Sequence, residues 1–295
     1  MTRTGAALLL LATTCFWGGT FSIVKGAIAH VEVFVFLSQR FTGAFVILLL
    51  IASRGGRRPD RATLARGAAL GAALFPVYAL QTLALRFTSA SNAAFLSGLG
   101  VVIVPVLASL LLHERTRAAL WAAVGLAAAG LLLLTTGGSW DATFNPGDLL
   151  SVACAVCIAG YLILSGRFAP RSDSAWLATV QIGVVALGSL AVAAVNGETV
   201  LVWRDDLFGP LVYCILLATV FAFLAQMAAQ QVLSPASTAF IICLEPVFAA
   251  LWSAIADGER LSASGYAGAV LTLAAMLLGE YVTLRCRFPA HGCRL

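Results

Sequence analysis

The strongest constraint on this chain is a succession of apolar runs, each about 20 residues long, separated by short polar breaks. A helix needs about 20 apolar residues to cross the ~30 Å hydrocarbon core of a bilayer. Residues 120–134 are apolar on every face, whereas the strands of a membrane β-barrel alternate apolar and polar side chains. Only 11% of the residues are charged, too few to cover a soluble protein of this length. The pattern predicts an all-α integral membrane protein whose surface faces the lipid bilayer.

Charged and turn residues divide the chain into ten transmembrane helices. The predicted spans are 5–25, 33–52, 64–86, 89–112, 117–136, 147–167, 174–195, 208–231, 234–256 and 262–284. With the amino terminus inside, thirteen of the 18 basic residues lie in inner segments, and only Lys25, Arg86, Arg204 and Arg260 lie in outer ones. Because basic segments stay on the cytoplasmic side, both termini are predicted to be cytoplasmic. This bias also explains the net charge of +5 without a nucleic-acid partner.

The second half of the chain repeats the first weakly but in order. A shift of 142 residues aligns the first span with the sixth and places Gly18 opposite Gly160. A shift of 145 aligns the fourth span with the ninth and places Ser89 opposite Ser234. One membrane domain of two five-helix halves follows, residues 1–137 and 147–295. Since five is odd, the halves are inverted in the membrane, which is typical of secondary transporters with a cavity that opens to either side.

Several motifs carry a family resemblance over nearly the whole chain. They are 16–21 (FWGGTF) with Lys25, Arg40 in the second span, 88–95 (TSASNAAF), 101–105 (VVIVP), 113–115 (HER), 244–247 (LEPV) and 258–260 (GER). In this order and spacing they resemble the EamA branch of the drug/metabolite transporter superfamily, and most of all its YddG-type amino-acid exporters. The chain departs from the family at His113, where the first repeat often has Gly.

The resemblance implies a ten-helix exporter or exchanger of the bacterial inner membrane, with a central solute cavity and no cofactor. Members of the family move amino acids, drugs and other metabolites. We therefore expect export of amino acids, aromatic or other neutral ones, by alternating access. Drugs, sugars or nucleotide-linked metabolites are the alternative cargo, and whether the protein is a monomer or a homodimer stays open.

Two ionisable residues fall within predicted spans, where charge is expensive and often functional. Glu245 lies in the ninth span beside Pro246, and Arg40 lies in the second. Glu245 is a candidate to bind a cargo ammonium or to carry a coupling proton. The alternative is a fixed structural pair, either between Glu245 and Arg40 or between Glu245 and a hydroxyl group.

Polar and aromatic residues inside the spans are further candidates for binding cargo, because buried amides and phenols need partners. Together with Glu245, the candidate set is Trp17, Tyr78, Gln81, Asn92, Phe95, Tyr161, Gln181 and Gln226. Aromatic rings near the bilayer centre suit an amphipathic solute or a cation. Bonds and packing between helices are the alternative role for each of them.

Five Gly and Pro residues are candidate hinges, because proline in a membrane helix favours a kink. They are Gly18, Gly19, Pro76, Pro105 and Pro246. The small-residue pairs Gly67/Gly71 and Gly125/Ala129 allow helices to approach closely, either within the monomer or at a dimer face.

The motifs of other functional classes are missing from the sequence. The chain has one lysine, Lys25, outside any GxxxxGK[ST] motif, so it offers no P-loop for ATP. It has no HExxH or GxSxG motif, and we expect no metal and no catalytic residue. The driving force is then the cargo gradient or protons. The competing functional classes are a membrane-embedded enzyme and a sensor or scaffold. An enzyme needs a cluster of catalytic residues, which the sequence does not offer. A sensor or scaffold has no use for an inverted repeat.

Overall fold

Helices form every regular element in the described part of the chain. A computed structural model describes residues 1–56, 58–100, 103–104, 107, 118–136, 145–256 and 262–287. Its α-helices are α1 (Arg3–Ala27), α2 (Val33–Arg54), α3 (Arg61–Ala84), α4 (Ala90–Gly98), α5 (Ala118–Thr136), α6 (Pro146–Phe168), α7 (Ser174–Val195), α8 (Asp205–Ile215), α9 (Ala222–Ala229), α10 (Pro235–Ile242), α11 (Glu245–Ala256) and α12 (Ala263–Arg287). A π-helical turn, Leu216–Phe221, joins α8 to α9, and a short 3₁₀ turn, Ala169–Arg171, follows α6.

Seven helical segments in the described ranges are long and apolar enough to cross a membrane. They are Arg3–Ala27, Val33–Arg54, Arg61–Ala84, Pro146–Arg171, Ser174–Val195, Asp205–Ala229 and Pro235–Trp252. Two shorter apolar helices, Ala118–Leu133 and Ala263–Gly279, coincide with the fifth and tenth predicted spans. Nine of the 24 residues of the fourth predicted span, 101–102, 105–106 and 108–112, lie outside the described residues. The all-helical, multi-span membrane protein is therefore confirmed, while ten spans and the orientation of the termini stay predictions.

Large apolar side chains point outward along several of these helices. Leu8, Leu187, Val270 and Leu277 are each more than 60% exposed. Water would penalise such a surface, whereas lipid tails match it. The outward faces of α1, α7 and α12 are thus the lipid-facing faces.

Helices from the first half of the chain pack mainly on helices from the second half. α2 and α3 both lie along α7, α3 also contacts α6, α1 contacts α9 and α11, and α5 pairs with α12. Glycine makes one of these contacts close: a β-carbon on Gly71 would lie 2.7 Å from the Gln181 carbonyl oxygen on α7. The Gly67/Gly71 pair therefore serves packing within the monomer, and the two halves are interlocked.

The fourth and ninth spans share a local design at the predicted shift of 145 residues. Ser89 caps α4 by accepting a bond from the Asn92 N–H at 3.1 Å, and Ser234 caps α10 by accepting one from the Ser237 N–H at 3.2 Å. Both helices then stop after about two turns, α4 at Gly98 and α10 at Ile242. The two repeats thus place a helix break at matching positions.

Candidate functional site

A cavity of about 60 Å³ lies inside the bundle, lined by side chains from both repeats. Seven of the residues singled out from the sequence line it: Trp17, Arg40, Tyr78, Gln81, Tyr161, Gln226 and Glu245. They come from α1, α2, α3, α6, α9 and α11, so no single helix forms the site.

Arg40 is buried beside this cavity, with 2% of its surface exposed. Its Nε donates to Thr219 Oγ1 at 3.0 Å, and its Nη2 lies 3.4 Å from the Ala218 carbonyl oxygen. Its guanidinium carbon stands 5.1 Å from the ring centre of Phe41 and 5.0 Å from that of Tyr78. Cation–π contact of this kind attracts a desolvated guanidinium. The protein thus holds the Arg40 charge at one edge of the cavity.

The partners of Arg40 belong to the π-helical turn Leu216–Phe221. Thr219 Oγ1 donates to the Cys214 carbonyl, five residues back, at 2.7 Å. The Ala218 carbonyl also accepts from Trp17 Nε1 at 2.9 Å. π-Turns are rare and often mark functional sites, and here one turn positions both a charge and an indole ring.

Glu245 enters the cavity at the break in the ninth span. α10 ends at Ile242, Cys243 and Leu244 form a turn, and Glu245 begins α11. Pro246 sits in the first turn of α11, where a missing N–H costs no hydrogen bond. Among the described residues, no ion pair within 4 Å and no hydrogen bond involves the Glu245 carboxyl group. The fixed pair with Arg40, one of the two roles considered from the sequence, is therefore absent from this structure.

Aromatic rings form a continuous wall of the cavity. The Phe223 ring centre lies 5.9 Å from that of Trp17 and 6.2 Å from that of Tyr78, and Tyr78 stands edge-on to Phe41 at 4.7 Å. The wall presents apolar surface and π faces next to the two charged groups. Such a surface accepts an apolar or aromatic group of a solute.

Amides supply the remaining polar lining. Gln226 is completely buried, and neither its Oε1 nor its Nε2 has a hydrogen-bond partner among the described residues. Tyr161 OH donates to Gln181 Oε1 at 2.9 Å. Gln181 therefore stands behind the cavity and orients Tyr161 rather than lining the space itself.

Three other candidates from the sequence are placed elsewhere or not described. The Asn92 side chain is exposed in the first turn of α4, and Phe95 packs against the hydrophobic core outside the cavity lining. Pro105 lies outside the described residues. The structure therefore brings together most, but not all, of the predicted binding set.

The candidate hinge glycines lie at a tight helix contact. A β-carbon on Gly18 would lie 2.7 Å from the Ala249 backbone nitrogen of α11, and one on Gly19 would lie 2.8 Å from Tyr213 OH. Close packing explains both glycines. α3 continues across Pro76 without a break, and helices among the described residues break next to Leu99 and at Cys243–Leu244.

A polar network closes one end of the bundle, at the side predicted to be external. Lys25 Nζ donates to the Thr88 carbonyl at 2.7 Å, and Thr88 Oγ1 donates to Asp148 Oδ1 at 2.8 Å. Asp148 and Asn145 cap each other in a capping box at the start of α6. These bonds tie α1 and the α3–α4 link to α6. At the opposite end, Leu10, Leu233 and Ile241 form a small apolar cluster, and Arg3 Nη2 donates to Ser237 Oγ at 2.8 Å.

Seven cavity residues were not singled out from the sequence: Thr20, Leu74, Val77, Ile158, Leu162, Phe223 and Ile242. Helical spacing is the signal that could have found most of them. Residues three and four apart share a helix face, so Tyr161 points to Ile158, Ile158 in turn points to Leu162, and Gln226 points to Phe223.

Known proteins resemble this chain over its whole length. The sequence profile of the EamA-like transporter family matches it twice, at residues 4–136 and 145–279. An uncharacterized transporter of Archaeoglobus fulgidus is 29% identical over 280 residues, covering 94% of this chain and 86% of the relative. The uncharacterized transporter YyaM of Bacillus subtilis is 24% identical over 302 residues, covering 97% of this chain and 96% of the relative.

A solved crystal structure of a protein without further description has the same fold. It superposes with a TM-score of 0.80 at 19% identity and covers 97% of this chain and 100% of its own. The two matches to one family profile, the multi-span helical fold and the transporter relatives agree with one another. The chain belongs to the EamA-like transporter family.

Proposed function

We propose that this membrane transporter exports neutral amino acids across the bacterial inner membrane. The observation that carries the proposal is that Arg40 and Glu245, on different helices, line one cavity without forming an ion pair with each other. An α-amino acid carries a carboxylate for the guanidinium and an ammonium for the carboxylate. The Trp17, Tyr78 and Phe223 rings suit an apolar or aromatic side chain.

Alternating access is the transport mechanism that we propose. At about 60 Å³ the cavity is much smaller than the roughly 300–1,000 Å³ of small-molecule sites, so helices must separate to admit a whole amino acid. The breaks at Leu99 and at Cys243–Leu244 stand at matching positions of the repeats and supply flexible points beside the cavity. The driving force is either the cargo gradient or protons carried by Glu245.

Uptake into proteoliposomes tests the function. Purified protein would be given a panel of labelled amino acids, with and without an imposed pH gradient. We expect saturable uptake of neutral amino acids that unlabelled competitor suppresses, and variants Trp17→Ala, Tyr78→Ala and Gln81→Ala with altered preference. Folded protein that takes up no amino acid would refute the cargo assignment and direct the search to drugs, sugars and nucleotide-linked solutes.

A further inference from the structure

We infer that Gln226 is a specificity-determining residue that selects amino acids whose side chain ends in a neutral hydrogen-bonding group of the carboxamide class. The inference rests on the proposed function, because it assumes that an amino acid occupies the cavity. It refines the proposed function by specifying which amino acids the site prefers and which residue determines that preference.

The hydrogen bonding of Gln226 carries the inference. Its side chain lines the cavity and is completely buried, yet both amide atoms lack a partner among the described residues. A buried amide without partners is costly, so native structures rarely keep one without a reason. The Gln226 amide offers a donor, Nε2, beside an acceptor, Oε1. A carboxamide on the cargo also has an acceptor beside a donor, so it can bond to both Gln226 atoms at once.

The position of Gln226 indicates which part of the cargo it contacts. Arg40 bonds to the Ala218 carbonyl, and Gln226 follows Ala218 by eight residues, roughly 10–12 Å along the helix axis. Phe223, which stands between Ala218 and Gln226 in the sequence, also lines the cavity. In the arrangement that we infer, a cargo with its carboxylate at Arg40 extends its side chain along this wall toward Gln226.

One helical turn away, Gln230 provides a matched control. It is also completely buried, but it does not line the cavity, and its Nε2 lies 3.4 Å from the Leu162 carbonyl. The two glutamines share chemistry and burial, Gln226 within α9 and Gln230 at its carboxyl-terminal cap, but only Gln226 lines the cavity. A structural role predicts a loss of stability in the variant without a change in cargo preference, whereas cargo selection predicts a changed preference at Gln226 alone.

The test compares uptake of labelled L-glutamine and L-methionine, which are similar in size but differ in hydrogen bonding. We expect wild-type protein to favour glutamine at least ~10-fold, since sites built to bond a polar group reject analogues without it. Gln226→Met should bring the ratio near one without lowering the melting temperature. Gln230→Met should leave the ratio unchanged. Gln226→Asn, which keeps the amide but shortens its reach, should give an intermediate ratio.

The outcomes separate this inference from the proposed function. Uptake of amino acids without a glutamine preference, or an unchanged ratio in Gln226→Met, overturns the inference and leaves amino-acid export intact. A Gln226→Met protein that melts much lower or does not fold shows a structural role and also overturns it. Absence of any amino-acid uptake by folded wild-type protein removes both.

Discussion

At the scale of residues, the two charged groups of the cavity differ in how the protein holds them. Arg40 has two bonds to the π-helical turn and two aromatic neighbours. Glu245 has no such restraint among the described residues and stands at a helix break. A charge held in place suits a binding role, whereas an unrestrained carboxyl group suits proton exchange. The two residues therefore call for separate tests.

Glu245→Gln should abolish the effect of a pH gradient on transport, and any cargo exchange that remains should no longer depend on pH. Glutamine keeps the size of the side chain but cannot release a proton. The measurement is uptake and exchange in proteoliposomes across a pH series. Glu32→Gln is the control, since Glu32 pairs with Arg86 on the surface at 2.7 Å. A variant with the pH dependence of the wild type would exclude Glu245 as the proton carrier.

Arg40→Lys should lower amino-acid uptake about 10-fold or more while the protein still folds. Lysine keeps the charge but lacks the planar fork that reaches Thr219 and Ala218, and a bond to a charged group contributes about 1.5–3 kcal/mol. Initial uptake rates and a melting curve measure the two effects. Arg86→Lys, on the surface, is the matched control. Normal uptake by Arg40→Lys would leave Arg40 with a structural role only.

Single residues in the site were predictable from the sequence where polarity made them conspicuous. Arg40, Glu245 and Gln226 are polar groups in apolar runs, and all three line the cavity. Phe223 and Ile158 were missed because an aromatic or aliphatic residue in a membrane helix resembles its neighbours. Asn92 shows the opposite error, since polarity near a helix end reflects a solvent-facing first turn as readily as a cavity.

At the scale of elements, glycine positions set how closely α1 can approach α11. The Gly18 Cα faces the backbone of α11, and an added β-carbon would meet Ala249 N at 2.7 Å and Glu245 O at 2.9 Å. Backbone atoms of a helix cannot move aside to make room for a β-carbon, whereas a flexible side chain can. The interface therefore depends on the absence of a side chain at this position, and α11 carries Glu245.

Gly18→Ala should destabilise the protein by about 1–3 kcal/mol, the usual cost of overpacking. Gly26→Ala, on the same helix, should leave the stability of the protein unchanged, because no atom lies within 4 Å of its added β-carbon. Thermal unfolding in detergent, followed by fluorescence, compares the two variants with the wild type. Equal melting temperatures for both alanine variants would contradict the close contact.

Helix extents were predictable from apolar length and charged breaks, but interruptions within spans were not. The sequence indicated a continuous ninth span with Pro246 as a kink, whereas the chain turns at Cys243–Leu244, before the proline. The π-helical turn in the eighth span also left no signal. Both depend on tertiary contacts, such as the Arg40 bonds to Thr219 and Ala218, that no local pattern encodes.

At the scale of the whole molecule, the orientation of the chain in the membrane can be tested by labelling residues at the two ends of the bundle. Ser53 lies in the last turn of α2 on the predicted inner side, and Asn196 follows α7 on the predicted outer side; both side chains are exposed. In intact cells, a membrane-impermeant maleimide should label Asn196→Cys and not Ser53→Cys, whereas lysed cells should show both labelled. Wild-type protein gives the background from native cysteines. The reverse pattern would invert the proposed topology.

The central segment of α1 is held by its main chain. Trp252 Nε1 donates to the Cys15 carbonyl at 3.0 Å, and Tyr213 OH donates to the Phe16 carbonyl at 2.8 Å. A carbonyl oxygen is present whichever amino acid occupies the position. Side chains at positions 15 and 16 can therefore vary in evolution without releasing the helix from its neighbours. This anchoring keeps Trp17, the next residue of α1 and part of the cavity lining, in place whichever side chains stand at positions 15 and 16.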